Sequence, residues 1–389
     1  MANTINFNFL NKVLLFGFAF TLAFERAFPF LPGLSFPKAA AIIYVFSLIF
    51  NPGYMKYLLE FKANKLIFML IGMWLLLNFF NGGLLSFGVS ELDYPFFLNI
   101  ALVWVLVTHE RMDPGILEKA LIYYLMGYFC LVLLHYLGFS KTLINGRVFI
   151  GASLPNALGM GGVFAFCVVL KALRMKLQNP LFIKPLIFLV GLLVISLILA
   201  TGSRASLIAL ILVLAIYFFY SSPKARTALI VISIILIPVF LPFFGVIVDR
   251  STSTIENVEF GGRLSYWIFM IEVISENILL GVGQGGYNYL TELQFGYSPS
   301  PHNVFVEVFI LGGITAFILW LWILKVIVER GFLSIREEGN LLKLTLVAPI
   351  LLNSISGQVF NNTLIFFVLA LIFSVSHHKN KPRGHTYKG

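Results

Sequence analysis

Long apolar runs alternate with short polar breaks along most of this chain. About twelve runs are long enough, or nearly so, to cross a lipid hydrocarbon layer of ~30 Å. They fall at Phe9–Phe24, Pro37–Phe50, Lys65–Phe80, Tyr94–Thr108, Leu117–Phe139 and Asn156–Leu173, then at Pro185–Ala200, Ala205–Tyr220, Thr227–Val248, Asn303–Val328, Leu341–Ile355 and Leu364–Val375. Each run is expected to be a helix, because a helix satisfies all of its backbone polar groups within one segment. The pattern therefore predicts an all-α polytopic integral membrane protein, with residues 1–389 forming one membrane domain. One segment breaks the alternation. Asp249–His302, between the ninth and tenth runs, is long, polar and glycine-rich. It reads as a large loop containing short amphipathic helices.

Composition narrows this reading. The chain is 59% hydrophobic and 11% charged, against roughly 25% charged residues in soluble domains. The net charge of +10 does not point to nucleic acid, since the Lys and Arg residues lie scattered between apolar runs and orient them instead. With the N-terminus inside, the cytoplasmic connections collect Lys56, Lys62, Lys171, Arg174, Lys224, Arg226, Arg330, Arg336 and the basic tail. Both termini are then cytoplasmic, and the Asp249–His302 loop faces the periplasm or the cell exterior. The first run is expected to be a retained span, because Glu25-Arg26 follows it and no small-residue cleavage site stands out. Cys130 and Cys167 lie inside apolar runs. They read as buried thiols, and neither a disulfide nor a metal site is expected.

This orientation leaves Arg147, Arg204, Arg250 and Arg263 on the outer face, where arginines are disfavoured. Arg204 falls in Thr201-Gly-Ser-Arg204, a short break between two apolar runs. Thr201 to Ser203 supply capping residues, so Arg204 is expected to open a helix. Gly261-Gly262 precede a helical stretch, Arg263–Leu280, so Arg263 opens another. A cation there opposes the helix dipole. The placement makes sense if an anion binds, since free N–H groups and guanidinium forks both attract phosphate oxygens. Snorkelling to lipid headgroups is the plainer alternative for Arg204. In Ser300-Pro-His302, Ser300 is a natural cap and Pro301 suits the first helical position, which puts His302 in the first turn of the tenth span. The dipole would keep that imidazole neutral, the form a general base needs; an interfacial histidine without chemistry is the alternative.

Other features point less far. Leu264, Trp267, Ile268, Ile271, Ile274 and Ile278 share one helical face, opposite Ser265, Glu272 and Glu276, which predicts an amphipathic helix along the membrane or over a cavity. Gly281-Val-Gly-Gln-Gly-Gly286 follows a helix rather than a strand, so it reads as a helix stop and tight turn, not a nucleotide loop. Tyr287, Tyr289, Phe295 and Tyr297 suit either sugar stacking or the interfacial aromatic belt. Glu256 and Glu259 read as a solvated loop face. Glu307, inside the tenth span near His302, is a candidate to orient the histidine or line a cavity. His135 lies in a span and reads as a packed or hydrogen-bonded residue. A lipid-linked glycan transporter, or flippase, is the rival class. Such proteins show repeated halves and broken spans at mid-membrane, whereas the polar residues here collect on one face.

Taken together, Gly146-Arg147, Pro155-Asn156-Ala157, Thr201-Gly-Ser-Arg-Ala-Ser206, Gly261-Gly-Arg-Leu-Ser-Tyr-Trp267, Leu280-Gly-Val-Gly-Gln-Gly-Gly-Tyr287 and Pro301-His-Asn-Val-Phe-Val-Glu307 resemble the O-antigen ligase and polymerase superfamily of bacterial membrane glycosyltransferases. The resemblance runs from Arg147 through Gly313, a family-like catalytic core region. It implies a multi-pass protein of the bacterial inner membrane that needs no metal or cofactor. Such an enzyme moves a glycan, with inversion, from an undecaprenyl-pyrophosphate carrier to an acceptor sugar hydroxyl. It implies further that Arg204 and Arg263 bind the pyrophosphate, with Arg147 as an added contact, and that His302 activates the acceptor. A ligase would use lipid A–core as acceptor; a polymerase would use a carrier-linked glycan. About twelve spans and one main outer loop lean toward the ligase.

Overall fold

The structure, a computed structural model, is described over residues 7–25, 27, 29–31, 34–49, 54, 57, 65–78, 93–142, 146–175, 179–223, 226–227, 230, 263–297, 303–357, 359–360 and 362–374. The apolar runs are helices. They are α1 (Phe7–Thr21), α2 (Phe36–Ile49), α3 (Lys65–Asn78), α4 (Asp93–Met112), α5 (Ile116–Leu134), α6 (Pro155–Arg174), α7 (Pro180–Ala200) and α8 (Arg204–Phe219), followed by α9 (Arg263–Glu276), α10 (Gly283–Phe295), α11 (Val304–Glu338), α12 (Leu341–Ser356) and α13 (Thr363–Phe373). Among the described residues, four segments are long and apolar enough to cross a membrane: Ile116–Phe139, Pro155–Arg174, Pro180–Ala200 and Val304–Glu338. Shorter apolar helices accompany them, and the architecture is that of an all-helical polytopic membrane protein. Most of the expected ninth span, Thr227–Val248, lies outside the described residues.

Two small ribbons depart from the purely helical expectation. β1 (Pro29–Leu31) pairs with β2 (Leu34–Ser35), and β3 (Ser140–Thr142) pairs antiparallel with β4 (Val148–Ile150). Both lie in connections between helices. The second carries Arg147 in its return turn. It follows a π-helical turn, His135–Phe139, where His135 Nδ1 lies 2.8 Å from Ser140 Oγ.

Side-chain caps set where the helices begin. Ser203 accepts from the Ser206 N–H at the start of α8, Asn340 from Leu342 at α12, and Asn362 from Ile365 at α13. Each satisfies a backbone donor that the helix itself leaves free. For α11 the cap is Asn303, whose Oδ1 accepts from Phe305 N at 2.9 Å and Val306 N at 3.3 Å. This corrects the expected Ser300 cap. Ser300, Pro301 and His302 themselves lie outside the described residues.

α13 is buried against α4, α11 and α12. α6 packs on α7, α8 and α12; α11 packs on α12 and α3; α13 packs on α4; α1 packs on α2 and α5. Every residue of α13 is buried. At eleven residues and ~1.5 Å per residue this helix is too short to cross a bilayer alone, and both of its ends are held by charge. The Glu25 carboxylate accepts from Thr363 N at 2.9 Å, and Lys343 Nζ donates to Ser374 O at 2.9 Å. A carboxylate at the N-terminus and an ammonium at the C-terminus both follow the helix dipole.

α11 is broken at Gly313 (φ 63°, ψ −163°). The connection from α9 to α10 lies against the break. Val282 N donates to Ile310 O at 2.8 Å, and Ile314 N donates to Ile278 O at 2.8 Å. The bond from Ile314 to Ile310 that an unbroken helix would make is thus replaced by two bonds to the hairpin. Gly281 has φ 67°, and a Cβ there would lie 2.5 Å from Ile310 O; a Cβ at Gly313 would lie 2.4 Å from Leu279 C. Only glycine fits both backbones. The glycine run therefore serves as the expected stop and turn, and additionally as the crossing point of two main chains.

Candidate functional site

One end of the bundle, here the upper end, gathers the end of α1, the start of α6, the α7–α8 turn and the α12–α13 turn around a cleft of about 420 Å³. Its walls include Glu25, Arg147, Asn156, Ala205, Asn353 and Asn362. Its floor is the first part of α6, where Tyr128 donates to Leu158 O and Tyr124 to Gly161 O, each at 2.8 Å. α6 reaches this depth because Gly159 lets it touch the α7–α8 turn. A Cβ at Gly159 would lie 2.7 Å from both Thr201 Oγ1 and Ser206 Oγ.

Arg147 ties this end together. Its Nε donates to Thr201 O at 3.0 Å and its Nη2 to Asn156 Oδ1 at 2.5 Å. The guanidinium thus spans from the last turn of α7 to the first turn of α6. Thr201 closes α7, so that bond follows the dipole of α7. Arg204 opens α8 as expected, behind the Ser203 cap, and its side chain is exposed at the same end. The structure therefore brings Arg147 and the Arg204 turn together.

α6 starts at this end without a side-chain cap; Leu154 occupies its cap position and Pro155 its first. Asn156 and Ala157 of that first turn line the cleft beside Arg147. An uncapped helix N-terminus next to a guanidinium favours an anion. Glu25, on the opposite wall, is engaged with α13.

The other expected residues are placed less completely. Arg263 is the first residue of α9, as expected, but its side chain lies outside what is described, as do Arg250, Glu256, Glu259 and His302. The helix that Arg263 opens ends at Glu276, short of the expected Leu280. Its buried stripe is Tyr266, Met270 and Val273, while Ile268, Ile271 and Ile278 are exposed. Ile274 of the same expected face is half-buried against the core, and the side chains of Leu264 and Trp267 lie outside the described residues. Glu307 is buried, with Oε2 making no hydrogen bond, and sits within electrostatic reach of Tyr266. Tyr266 packs edge-on against Phe295 at 5.4 Å, which joins α9 to α10. Tyr287 is buried, whereas Tyr289 and Tyr297 are exposed. Cys167 is buried and Cys130 only half-buried; both are free thiols.

Glu25, Tyr124, Tyr128, Asn353 and Asn362 were not singled out for the site by sequence reasoning. They stand far apart in the sequence, and only the fold brings their segments to one cleft. A second cavity, about 320 Å³, opens at the opposite, lower end between α6, α8 and the α11–α12 turn.

Comparison with known proteins gives a family match over part of the chain. Residues 186–321 match a family model described as O-antigen ligase. The matched segment starts in α7, contains Arg204, Arg263 and His302, and ends below the break in α11. No curated protein matches the chain. The family match supports the O-antigen ligase and polymerase superfamily.

Proposed function

From that superfamily as premise, we propose that this protein is a membrane glycosyltransferase. It transfers a glycan from an undecaprenyl-pyrophosphate carrier to an acceptor sugar hydroxyl on the outer face of a bacterial inner membrane. The observation that carries this reading is the convergence of Arg147, the Arg204 turn and the uncapped start of α6 at one cleft. Three sources of positive potential at one end suit a pyrophosphate better than a neutral ligand.

In this reading the acceptor oxygen attacks the anomeric carbon of the donor as its proton passes to His302. The bond from that carbon to the phosphate oxygen breaks on the opposite side, so configuration inverts. The polyprenyl pyrophosphate departs with the bonding electrons. Charge grows on the departing phosphate, and Arg204 and Arg263 stabilise it from fixed positions. Arg147 holds the α7–α8 turn in register and adds a further phosphate contact. Glu307 orients His302 from one turn inside α11. The fixed donors do the work of charge neutralisation, and the reading needs neither metal nor cofactor.

Lipid A–core is the preferred acceptor, which makes the protein a ligase; a carrier-linked glycan as acceptor would make it a polymerase. The test is reconstitution with a carrier-linked glycan and each acceptor in turn. Product with lipid A–core, lost in His302→Ala and in Arg263→Ala proteins that still fold, is the expected result. Unchanged turnover in both variants would sink the site assignment, and product only with the carrier-linked acceptor would replace ligase by polymerase.

A further inference from the structure

The α9–α10 hairpin meets α11 well inside that helix. Thr315 Oγ1 donates to Leu279 O at 3.3 Å, directly below the break at Gly313. Lys325, exposed and paired with Glu329 at 3.7 Å, is the first charged residue further down the same helix. Ten residues of unbroken helix separate Thr315 from Lys325, a rise of ~15 Å. The apolar layer of a bilayer is ~30 Å thick, so a boundary at Lys325 leaves the hairpin turn within that layer.

The surface at this height is apolar and continuous. Ile278, Leu279 and Leu280 are 51%, 71% and 45% exposed. Immediately below them on α11, Ile318 and Trp322 are 60% and 53% exposed. Thr315, Ile318 and Trp322 form one exposed stripe at helical spacing, on a helix long and apolar enough to cross a membrane. The turn therefore extends the exposed apolar stripe of that helix.

The backbone of the turn also meets the demand lipid imposes. Irregular main chain at membrane depth must find internal partners. Here Gly281 N donates to Asn277 O, Val282 N to Ile310 O, and Ile278 O and Leu279 O accept from Ile314 N and Thr315 Oγ1. Ahead of the turn, α9 also carries exposed apolar side chains, with Ile268 and Ile271 at 59% and 65% exposure, and the exposed carboxylates of Glu272 and Glu276 stand on the same helix.

We propose that Ile278–Leu280 is a re-entrant tip, inserted among the acyl chains of the outer leaflet. The helices on either side return from it to the outer surface. The occupant of this apolar face is bilayer lipid. The proposal concerns position in the membrane and stands whether or not the transfer reading holds.

Nitroxide scanning of the full chain in bilayer nanodiscs tests it, after Cys130→Ala and Cys167→Ala. A label on Leu279→Cys should be relaxed more by oxygen than by a water-soluble nickel chelate. Ile318→Cys should behave alike, and Glu272→Cys should show the reverse ratio. Greater relaxation by nickel at 279 would place the tip in water and overturn the proposal. Exclusion of both agents would also overturn it, because the face would then be covered by protein. Should the cysteine-free chain fail to fold, a benzophenone amino acid at position 279 of the otherwise unaltered chain gives the same answer. Lipid adducts are expected by mass spectrometry, and their absence counts against the proposal.

Discussion

The two ends of the bundle handle positive charge in opposite ways. At the lower end several cations meet a carboxylate or a helix C-terminus. Lys171 pairs with Glu118 at 3.1 Å, and Lys12 with Asp113 at 2.7 Å. Lys343 meets Glu338 at 3.5 Å and the last carbonyl beyond α13. Arg226 donates to the carbonyls of Phe218, Phe219 and Ser221 at the end of α8. These contacts follow the dipoles. At the upper end, Arg204 and Arg263 stand at helix starts, against the dipole, and α6 begins uncapped beside Arg147. The lower arrangement is complete as it stands. The upper one is balanced only when negative charge arrives, which is what separates a strut from a binding site.

Substitutions can break or sharpen this contrast. The largest effect is expected for His302→Ala and Arg204→Ala. Turnover with a carrier-linked donor should fall about 100-fold or more, while thermal unfolding in detergent shifts little. If Arg204→Ala instead lowered the melting temperature and left turnover intact, the upper arginine would be one more strut and the contrast would fail. Lys343→Ala should do the converse. Removing one partner from a buried pair costs about 3–5 kcal/mol, so the melting temperature should drop sharply while turnover per folded molecule holds.

Gly313→Ala tests the broken helix. Its φ of 63° and the 2.4 Å approach to Leu279 leave no room for a methyl group, and strain of this kind costs on the order of 1–3 kcal/mol. Proteolysis between α9 and α10 should accelerate as the hairpin loosens. Glu25→Gln should have the smallest effect. It keeps a hydrogen-bond acceptor for Thr363 N but removes the charge at the start of α13, a loss of about 1 kcal/mol. A change in turnover beyond that would make Glu25 a participant in the cleft chemistry.

The helices were legible because lipid imposes one simple rule: an apolar run must be a helix. Ser203 and the opening roles of Arg204 and Arg263 were legible too, since a cap is a local interaction. The tenth span shows where local rules compete. Ser300-Pro301 and Asn303 are both good starts, three residues apart, and packing decided between them. Val304 is fully buried as the first helical residue, and a helix begun at Pro301 would have to continue through Asn303. The cleft was not legible. Glu25 and Asn362 acquire meaning only from a short buried helix, α13, whose N-terminus needs partners. The apolar face of α9 was seen in the sequence, but its direction was not, because periodicity says which residues share a face and not what that face meets.

The break in α11 has a consequence for how the molecule assembles. If Ile314 N returned to Ile310 O, α11 would regain its own bond, but Val282 N and Ile278 O of the hairpin would each lose one. Two main-chain bonds exist in the docked state and one in the straightened state. Hairpin docking and helix interruption are therefore a single event, an exchange of partners between two segments that neither can complete alone. Without the docked α9–α10 turn, α11 would close its own bond from Ile314 to Ile310 and run straight; the turn, seated against Gly313, fixes the bend of the span.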